Sequence, residues 1–169
     1  MPTLSYALFV TSVCVEKYSQ SSSITENLGS ISASNSNFGG FSRTDYLSCA
    51  NKPLYYCSIS ASAQGGSCND SRDFDAYSTA SAYAVLDDGT EISLGGCSMH
   101  SAHNWKHNST TVYFANKLTS EQMSRVVKIK GVFYAKSPYT FYKGTNGTPD
   151  GGTSASVSVV AWYGSWDAE

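Results

Sequence analysis

Hydrophobic and polar residues alternate with a repeat of two along several stretches of this chain. The clearest run places Ala155, Val157, Val159, Ala161 and Tyr163 on one side and Ser154, Ser156 and Ser158 on the other. A second run places Tyr55, Cys57, Ile59, Ala61 and Ala63 inward and Ser58, Ser60 and Ser62 outward. Because successive side chains of a strand point to opposite faces, each run predicts a strand with a buried apolar face and an outer face of hydroxyl groups.

Other segments fit the same picture with local irregularities. Val127 and Ile129 alternate with two lysines and then meet Gly131, which predicts a bulge or a close approach at that glycine. Residues 3–16 lack the basic start of a signal peptide and are predicted to form a strand that is bulged or buried on both faces. The turn sequence Asp-Asp-Gly-Thr at 87–90 separates two short apolar segments, which predicts a tight hairpin.

Helix is predicted at one short position. Thr119 and Gln122 have the spacing of a capping box, which predicts a helical turn near 120–125. Several short strands, regular turns and little helix are typical of an all-β protein. We therefore predict an antiparallel β-sandwich of jelly-roll-like type, with residues 1–169 forming a single domain.

The composition separates this chain from several functional classes. Charged residues make up 14% of it, against roughly a quarter in an average soluble protein, and serine occupies 30 positions. The net charge is −2 and no run of Lys or Arg occurs, so the basic patch that nucleic-acid binding requires is not indicated. No apolar stretch reaches the roughly 18 residues of a membrane-spanning helix. We therefore predict neither a nucleic-acid partner nor a membrane span.

The candidate metal ligands fall in one of four Gly- and Ser-rich segments, 34–43, 64–75, 95–110 and 143–153, which are predicted to be loops. His100, His103 and His107 follow Cys97 closely in the third segment. Imidazole and thiolate are ligands of zinc and similar divalent ions, and a loop could present copies of one histidine at the symmetry axis of a homotrimer. The alternative is a surface loop with solvated or hydrogen-bonded histidines. No other cofactor is indicated.

The five cysteines leave at least one thiol unpaired. Cys49 and Cys57 flank the turn-like sequence Asn-Lys-Pro at 51–53, so a local disulfide is one interpretation if the compartment is oxidising. The other interpretation is free thiols that are buried as small hydrophobic groups.

Aromatic residues outside the alternating pattern are candidate ligand-binding groups. Amphipathic rings stack against sugars and offer a polar edge, so a glycan contact is predicted at six aromatic residues, Trp105, Tyr139, Phe141, Tyr142, Trp162 and Trp166, with Asn146 and Asp150 as hydrogen-bonding partners. Packing in a core or against another subunit is the alternative. No Gly-x-Ser-x-Gly motif or other catalytic motif occurs, so we predict a non-enzymatic protein.

Strand faces that are lined by hydroxyls and poor in charge would promote aggregation of a monomer, so we predict a homo-oligomer, with a trimer favoured. In composition the chain is similar to decoration and receptor-binding proteins of virions. The first hypothesis is a virion-type decoration protein, or an attachment protein for a glycan, a cell-surface receptor or a particle lattice, located outside the cell or on a virion surface. A secreted lectin-like or toxin-like binding protein is the second hypothesis. A metal-dependent enzyme built around His100, His103 and His107 is the third.

Overall fold

Eight strands and two short helical turns make up the regular structure of the residues described in this computed structural model, namely 18–35, 39–64, 76–101, 105–137 and 152–168. The strands are β1 (Tyr18–Asn35), β2 (Gly39–Ser48), β3 (Leu54–Gln64), β4 (Ala76–Leu86), β5 (Glu91–Ser101), β6 (Trp105–Tyr113), β7 (Val126–Ser137) and β8 (Gly152–Ala168). A 3-10 turn at Phe114–Asn116 and the helix α1 (Ser120–Ser124) lie between β6 and β7.

The strands form two antiparallel sheets of four strands each. The order is β1-β8-β3-β6 in sheet A and β2-β7-β4-β5 in sheet B. Only the connection from β4 to β5 stays within one sheet, and the other connections between consecutive strands cross from sheet to sheet. This is the arrangement of an eight-stranded jelly roll, which confirms the predicted antiparallel sandwich. The strand predicted at 3–16 lies outside the described residues, and the assignment of 1–169 to a single domain stays a prediction.

The inner faces of the two sheets carry the apolar core. Ile59 and Val157 of sheet A and Ile129 and Phe133 of sheet B are almost completely buried and belong to one cluster. The alternation predicted for β8 is confirmed, because residues 155, 157, 159 and 161 are buried and the serines between them are partly exposed. The side chain of Tyr163 lies outside the described ones.

Small residues allow close packing at two places in the core. The inner face of β4 carries a row of completely buried alanines, Ala76, Ala80, Ala82 and Ala84. On β7, a Cβ at Gly131 would lie 2.6 Å from Cζ of Phe133 and 2.7 Å from Cδ1 of Ile31. The pairing of β7 with both neighbours is regular at this glycine. Of the two alternatives predicted for Gly131, the close approach is therefore the one observed.

The predicted hairpin joins β4 to β5. The backbone N–H of Leu86 donates to the carbonyl of Thr90 at 2.9 Å. Arg125, at the end of α1, donates from Nε to Asp87 at 2.9 Å and from Nη2 to Asp88 at 2.6 Å. The pKa of Asp88 is lowered to about 2, first by hydrogen bonds from Thr90 and then by Arg125. Through Arg125, the turn between β4 and β5 therefore contacts the helical segment between β6 and β7.

The predicted helical turn is also confirmed. Oγ1 of Thr119 accepts from the backbone N–H of Gln122 at 3.1 Å, and Oε1 of Gln122 accepts from the backbone N–H of Thr119 at 2.9 Å. These two bonds form the capping box that starts α1.

The predicted loop at 95–110 is wrong, because most of this segment belongs to β5 and β6. A register shift between Ala82 and Tyr83 of β4 leaves Leu94 as an extra residue in β5, and Gly95 beside it has a φ of +127°. Inward-facing positions are even-numbered before this bulge and odd-numbered after it. The bulge therefore interrupts the alternation that would have indicated a strand.

The other predicted loops are described only at their ends. β1 continues to Asn35 and β2 begins at Gly39, within the segment predicted as a loop at 34–43. Residues 65–75 and 143–151, which make up most of the other two predicted loops, lie outside the described residues.

The cysteines that the structure describes are free thiols. Cys57 lies on the inner face of β3 in sheet A, and Cys49 follows the end of β2 in sheet B. Both are buried, and burial raises the pKa of each thiol to about 11. Cys49 and Cys57 therefore form no disulfide with each other, and the interpretation as free thiols buried as small hydrophobic groups is the one observed. Cys97 is a half-buried free thiol, and Cys14 and Cys68 lie outside the described residues.

Candidate functional site

The outer face of sheet A is lined by serine and threonine hydroxyls, with one histidine, that lie in register across its four strands. In the order β1, β8, β3, β6, its rows are Ser34-Ser154-Ser62-His107, Ser32-Ser156-Ser60-Ser109 and Ser30-Ser158-Ser58-Thr111. The hydroxyls of Ser60 and Ser156 are hydrogen-bonded at 2.6 Å, and those of Ser62 and Ser154 at 2.5 Å. We call these rows the hydroxyl face. No Asp, Glu, Lys or Arg occupies any of its positions.

An aromatic cluster lies at one end of the hydroxyl face. It consists of Tyr55 and Tyr56 of β3, Tyr113 of β6 and Trp162 of β8. The ring of Tyr55 lies 5.4 Å from that of Tyr56, 5.5 Å from that of Tyr113 and 6.3 Å from that of Trp162, between ring centroids. Tyr113 remains 44% exposed and Tyr55 38%. The cluster therefore offers aromatic surface to the solvent, while its three tyrosines make edge-on contacts with one another and Trp162 lies tilted beside Tyr55.

A bulge in β3 creates this cluster. Leu54 pairs with Ala161 and Tyr56 pairs with Val160, so Tyr55 is an extra residue on its strand. Without the bulge, two consecutive side chains would point to opposite faces of the sheet. The predicted inward position of Tyr55 is wrong for this reason. The alternation places Tyr56 and Trp162 on the side of the serines, but no alternating run covers Tyr113, so the sequence pattern reveals only part of the cluster.

A cavity of about 300 Å³ lies beside the cluster, at the edge of the sandwich where β5 and β6 come together. Its lining includes the apolar residues Leu94 and Val112, the polar residues Thr110, Thr111, Asn116 and Lys117, and Tyr113, which also belongs to the aromatic cluster. The two glycines of β5 at 95 and 96 also line it and add no side chain. We call this space the edge cavity.

The predicted metal ligands do not come together in the described part of the chain. His100 lies on the outer face of sheet B, where its ring is 6.5 Å from that of Tyr77. His107 lies on the outer face of sheet A, in register with Ser62. His103 lies outside the described residues. No group of three or more His, Cys, Asp or Glu residues that could hold a metal ion occurs among the described residues. A zinc site built on these histidines stays a prediction.

Of the predicted glycan contacts, Trp162 lies in the aromatic cluster, and the other one that the structure describes is Trp105. It is 56% exposed at the start of β6, on the same outer face as the aromatic cluster. Eight residues separate it from Tyr113 along the strand, which corresponds to roughly 26 Å. Trp105 is therefore not part of the cluster. The other candidates are Tyr139, Phe141, Tyr142, Asn146 and Asp150, which lie outside the described residues, and Trp166, whose side chain is not among the described ones, so their role stays a prediction.

The outer face of sheet B has the opposite chemical character. Nζ of Lys128 lies 4.5 Å from the ring centroid of Tyr46, and Nζ of Lys130 lies 5.5 Å from that of Tyr83. Lys130 also donates to both carboxylate oxygens of Glu91, at 2.9 and 3.0 Å, and this bond raises the pKa of Lys130. Tyrosines on this face are thus combined with charges, whereas those on sheet A adjoin uncharged hydroxyls.

The comparisons with known proteins give no family for this chain. No known protein family matches the sequence, and no curated protein matches it. None of the helices in the described ranges is long and apolar enough to span a membrane.

Several solved structures resemble the chain at low identity. A chain of Desmodium yellow mottle tymovirus is 11% identical with a TM-score of 0.38, over 100% of this chain and 97% of that one. A chain of an infectious bursal disease virus T13 particle is 11% identical with a TM-score of 0.37, over 98% of this chain and 41% of that one. The family 11 carbohydrate-binding module of Clostridium thermocellum, in complex with a mixed-linked tetrasaccharide, is 9% identical with a TM-score of 0.31, over 80% of this chain and 94% of that one. Identities and TM-scores this low bear on neither function nor ligand.

Proposed function

We propose that this protein is a non-enzymatic surface module, located on a virion or outside the cell, that attaches to a glycan through the aromatic cluster. The observation that carries the proposal is the grouping of four aromatic rings from three strands at the end of an uncharged outer face. Sugar rings have apolar C–H surfaces that stack on aromatic faces, and hydroxyls that need polar partners nearby. The serine and threonine rows beside the cluster supply such partners.

The exposure of the cluster supports the same function. Burying a large apolar side chain stabilises a protein by about 1.5–3 kcal/mol, yet Tyr55 and Tyr113 leave 38% and 44% of their surface in contact with water. A ligand that stacks on these rings removes that surface from water. Because the bulge and the edge-on contacts already hold the rings in place, little ordering is required on binding.

Glycan binding can be tested with single tyrosine variants on a glycan array. We expect the wild-type protein to bind a subset of glycans, and Tyr55→Ala and Tyr113→Ala each to weaken that binding about tenfold, because each loses one stacking surface. The matched control is Tyr46→Ala, which removes a 49% exposed tyrosine from the outer face of sheet B. Its binding should equal that of the wild type.

Two results would contradict glycan attachment at the cluster. One is a wild-type protein that binds nothing on an array that includes plant, bacterial and animal glycans. The other is a Tyr46→Ala variant that loses as much binding as Tyr113→Ala. Circular dichroism of all variants checks that the sandwich is intact.

A second function, assembly, is supported by the hydroxyl face itself. We infer that part of this face packs against further copies of the chain in a homo-oligomer, for which a trimer is favoured. Charged residues are depleted at the centre of subunit interfaces, and the three rows contain none. The serines of the edge strand β1 are exposed and could be covered while the aromatic cluster at the end of the face stays open.

Lysine substitutions on the two edge strands test assembly. We expect the wild type to be an oligomer by light scattering, and Ser32→Lys on β1 to shift it to monomers, because a buried ammonium without a partner is costly. Thr44→Lys is the matched control on the edge strand β2 of sheet B, where it is exposed on the outer face, and should leave the mass unchanged. A monomeric wild-type protein would refute this function.

A further inference from the structure

The edge cavity adjoins the aromatic cluster, and Tyr113 belongs to both. The two sites therefore share one residue, and a ligand on the cluster lies next to the space between β5 and β6. The cavity volume of about 300 Å³ is at the lower end of the range for small-molecule sites, roughly 300–1,000 Å³. It suits a single sugar residue rather than a whole oligosaccharide.

The chemistry of the edge cavity differs from that of the cluster. Thr110 offers a hydroxyl and Asn116 offers an amide, so both can donate and accept hydrogen bonds. Lys117 supplies an ammonium group and is the one charged residue among the described residues of the lining. Within the described ranges, Lys117 has no ion-pair partner, whereas Arg125 and Lys130 are each paired with carboxylates.

We propose that the edge cavity is a second subsite that takes the carboxylate-bearing residue of an acidic oligosaccharide, while a neutral residue of the same ligand stacks on the aromatic cluster. This inference rests on the proposed glycan binding and names the class of glycan. The ammonium of Lys117 pairs with the sugar carboxylate, and Thr110 and Asn116 bond to its hydroxyls. Little apolar side chain is exposed in the lining, since Leu94 is completely buried and Val112 is 9% exposed, so the polar groups carry the recognition.

The test compares oligosaccharides in three matched forms. Each is used as the neutral oligosaccharide, as the same oligosaccharide ending in a sialic or uronic acid, and as that acid converted to its amide. We expect the wild type to bind at least one acid about three- to tenfold more tightly than its neutral and amide forms, as for a solvent-exposed ion pair supported by hydrogen bonds. Higher ionic strength should reduce this preference, since the pair is screened.

Two lysine variants assign the preference to the cavity. Lys117→Gln should bind the acid and its amide equally, with unchanged affinity for neutral glycans. Lys136→Gln, which removes an exposed lysine from the outer face of sheet B, should keep the full preference. Equal loss in both variants would mean a general effect of net charge and would overturn the proposal.

The outcomes separate this inference from the proposed function. If the wild type binds neutral and acidic forms of every pair equally, the acidic subsite is refuted and glycan attachment at the cluster stands. If the wild type binds neither the neutral, the acidic nor the amide form of any oligosaccharide, both the acidic subsite and glycan attachment at the cluster are refuted. If the preference survives in Lys117→Gln, the carboxylate binds elsewhere and the edge cavity is not its site.

Discussion

The variant Phe133→Ala should lose roughly 3–5 kcal/mol of unfolding free energy, the range for truncating a buried phenylalanine. Phe133 is 1% exposed on the inner face of β7 and is one of the largest completely buried side chains among the described residues. Its ring packs over Gly131, which has no side chain that could move into the cavity left by the truncation. Chemical denaturation followed by tyrosine and tryptophan fluorescence measures the loss.

Tyr134→Ala is the matched control for this prediction. Tyr134 is the next residue of β7 but lies on the outer face, half-buried against Tyr77 at 5.9 Å between ring centroids. Its truncation leaves the core intact and should cost clearly less than that of Phe133. A Phe133→Ala protein as stable as the Tyr134→Ala protein would mean that the two sheets do not share the core described above.

Alkaline pH should weaken the fold through its two buried thiols. The pKa of both Cys49 and Cys57 is raised from an ordinary 9.0 to about 11 by burial. Below pH 9 both states keep the thiol protons, so these groups do not change stability there. Between pH 9 and 11 the unfolded chain releases protons that the folded protein retains, and the free energy of unfolding falls by about 2–3 kcal/mol for each thiol. Above pH 11 this contribution levels off.

The double variant Cys49→Ala/Cys57→Ala isolates the thiols from the tyrosines that also titrate in this range. Both proteins contain the same tyrosines, so the difference between their stability curves reports the cysteines. We expect a difference that is constant up to about pH 9 and then shrinks by roughly 5 kcal/mol toward pH 11. Parallel curves across the whole range would show that the thiols titrate normally in the folded protein.

The sequence predicted those parts of the fold where an unbroken local pattern and the tertiary structure agree. The serines of β8 alternate with buried valines and alanines over a regular strand, and the capping box at Thr119 needs only residues four positions apart or fewer. The Asp-Gly turn likewise depends on local geometry. In each of these three cases, the interactions that determine the local structure lie within a few residues of the sequence pattern that predicts it.

The sequence predicts a glycan contact at Trp162, but the rest of the candidate site is not predictable, because it depends on two bulges. Tyr55 reaches the outer face through the extra residue in β3, and the edge cavity is bordered by the bulge at Leu94 and Gly95 in β5. A bulge reverses the inward and outward positions on one side of it, and a repeat of two cannot show where this happens. The contact between Tyr55 and Tyr113 also joins strands that are far apart in the chain, so no local signal predicts it.

The alanine row of β4 has a consequence for how tightly a ligand can be held. Alanine has no side-chain rotamers to lose, so these positions become ordered on folding without a side-chain entropy cost and offer no alternative packing afterwards. Sheet A rests on this layer, together with its own buried alanines at 61, 63, 155 and 161. For the proposed glycan site, this means that the aromatic cluster lies on a support with few conformational states and needs little ordering when a ligand binds.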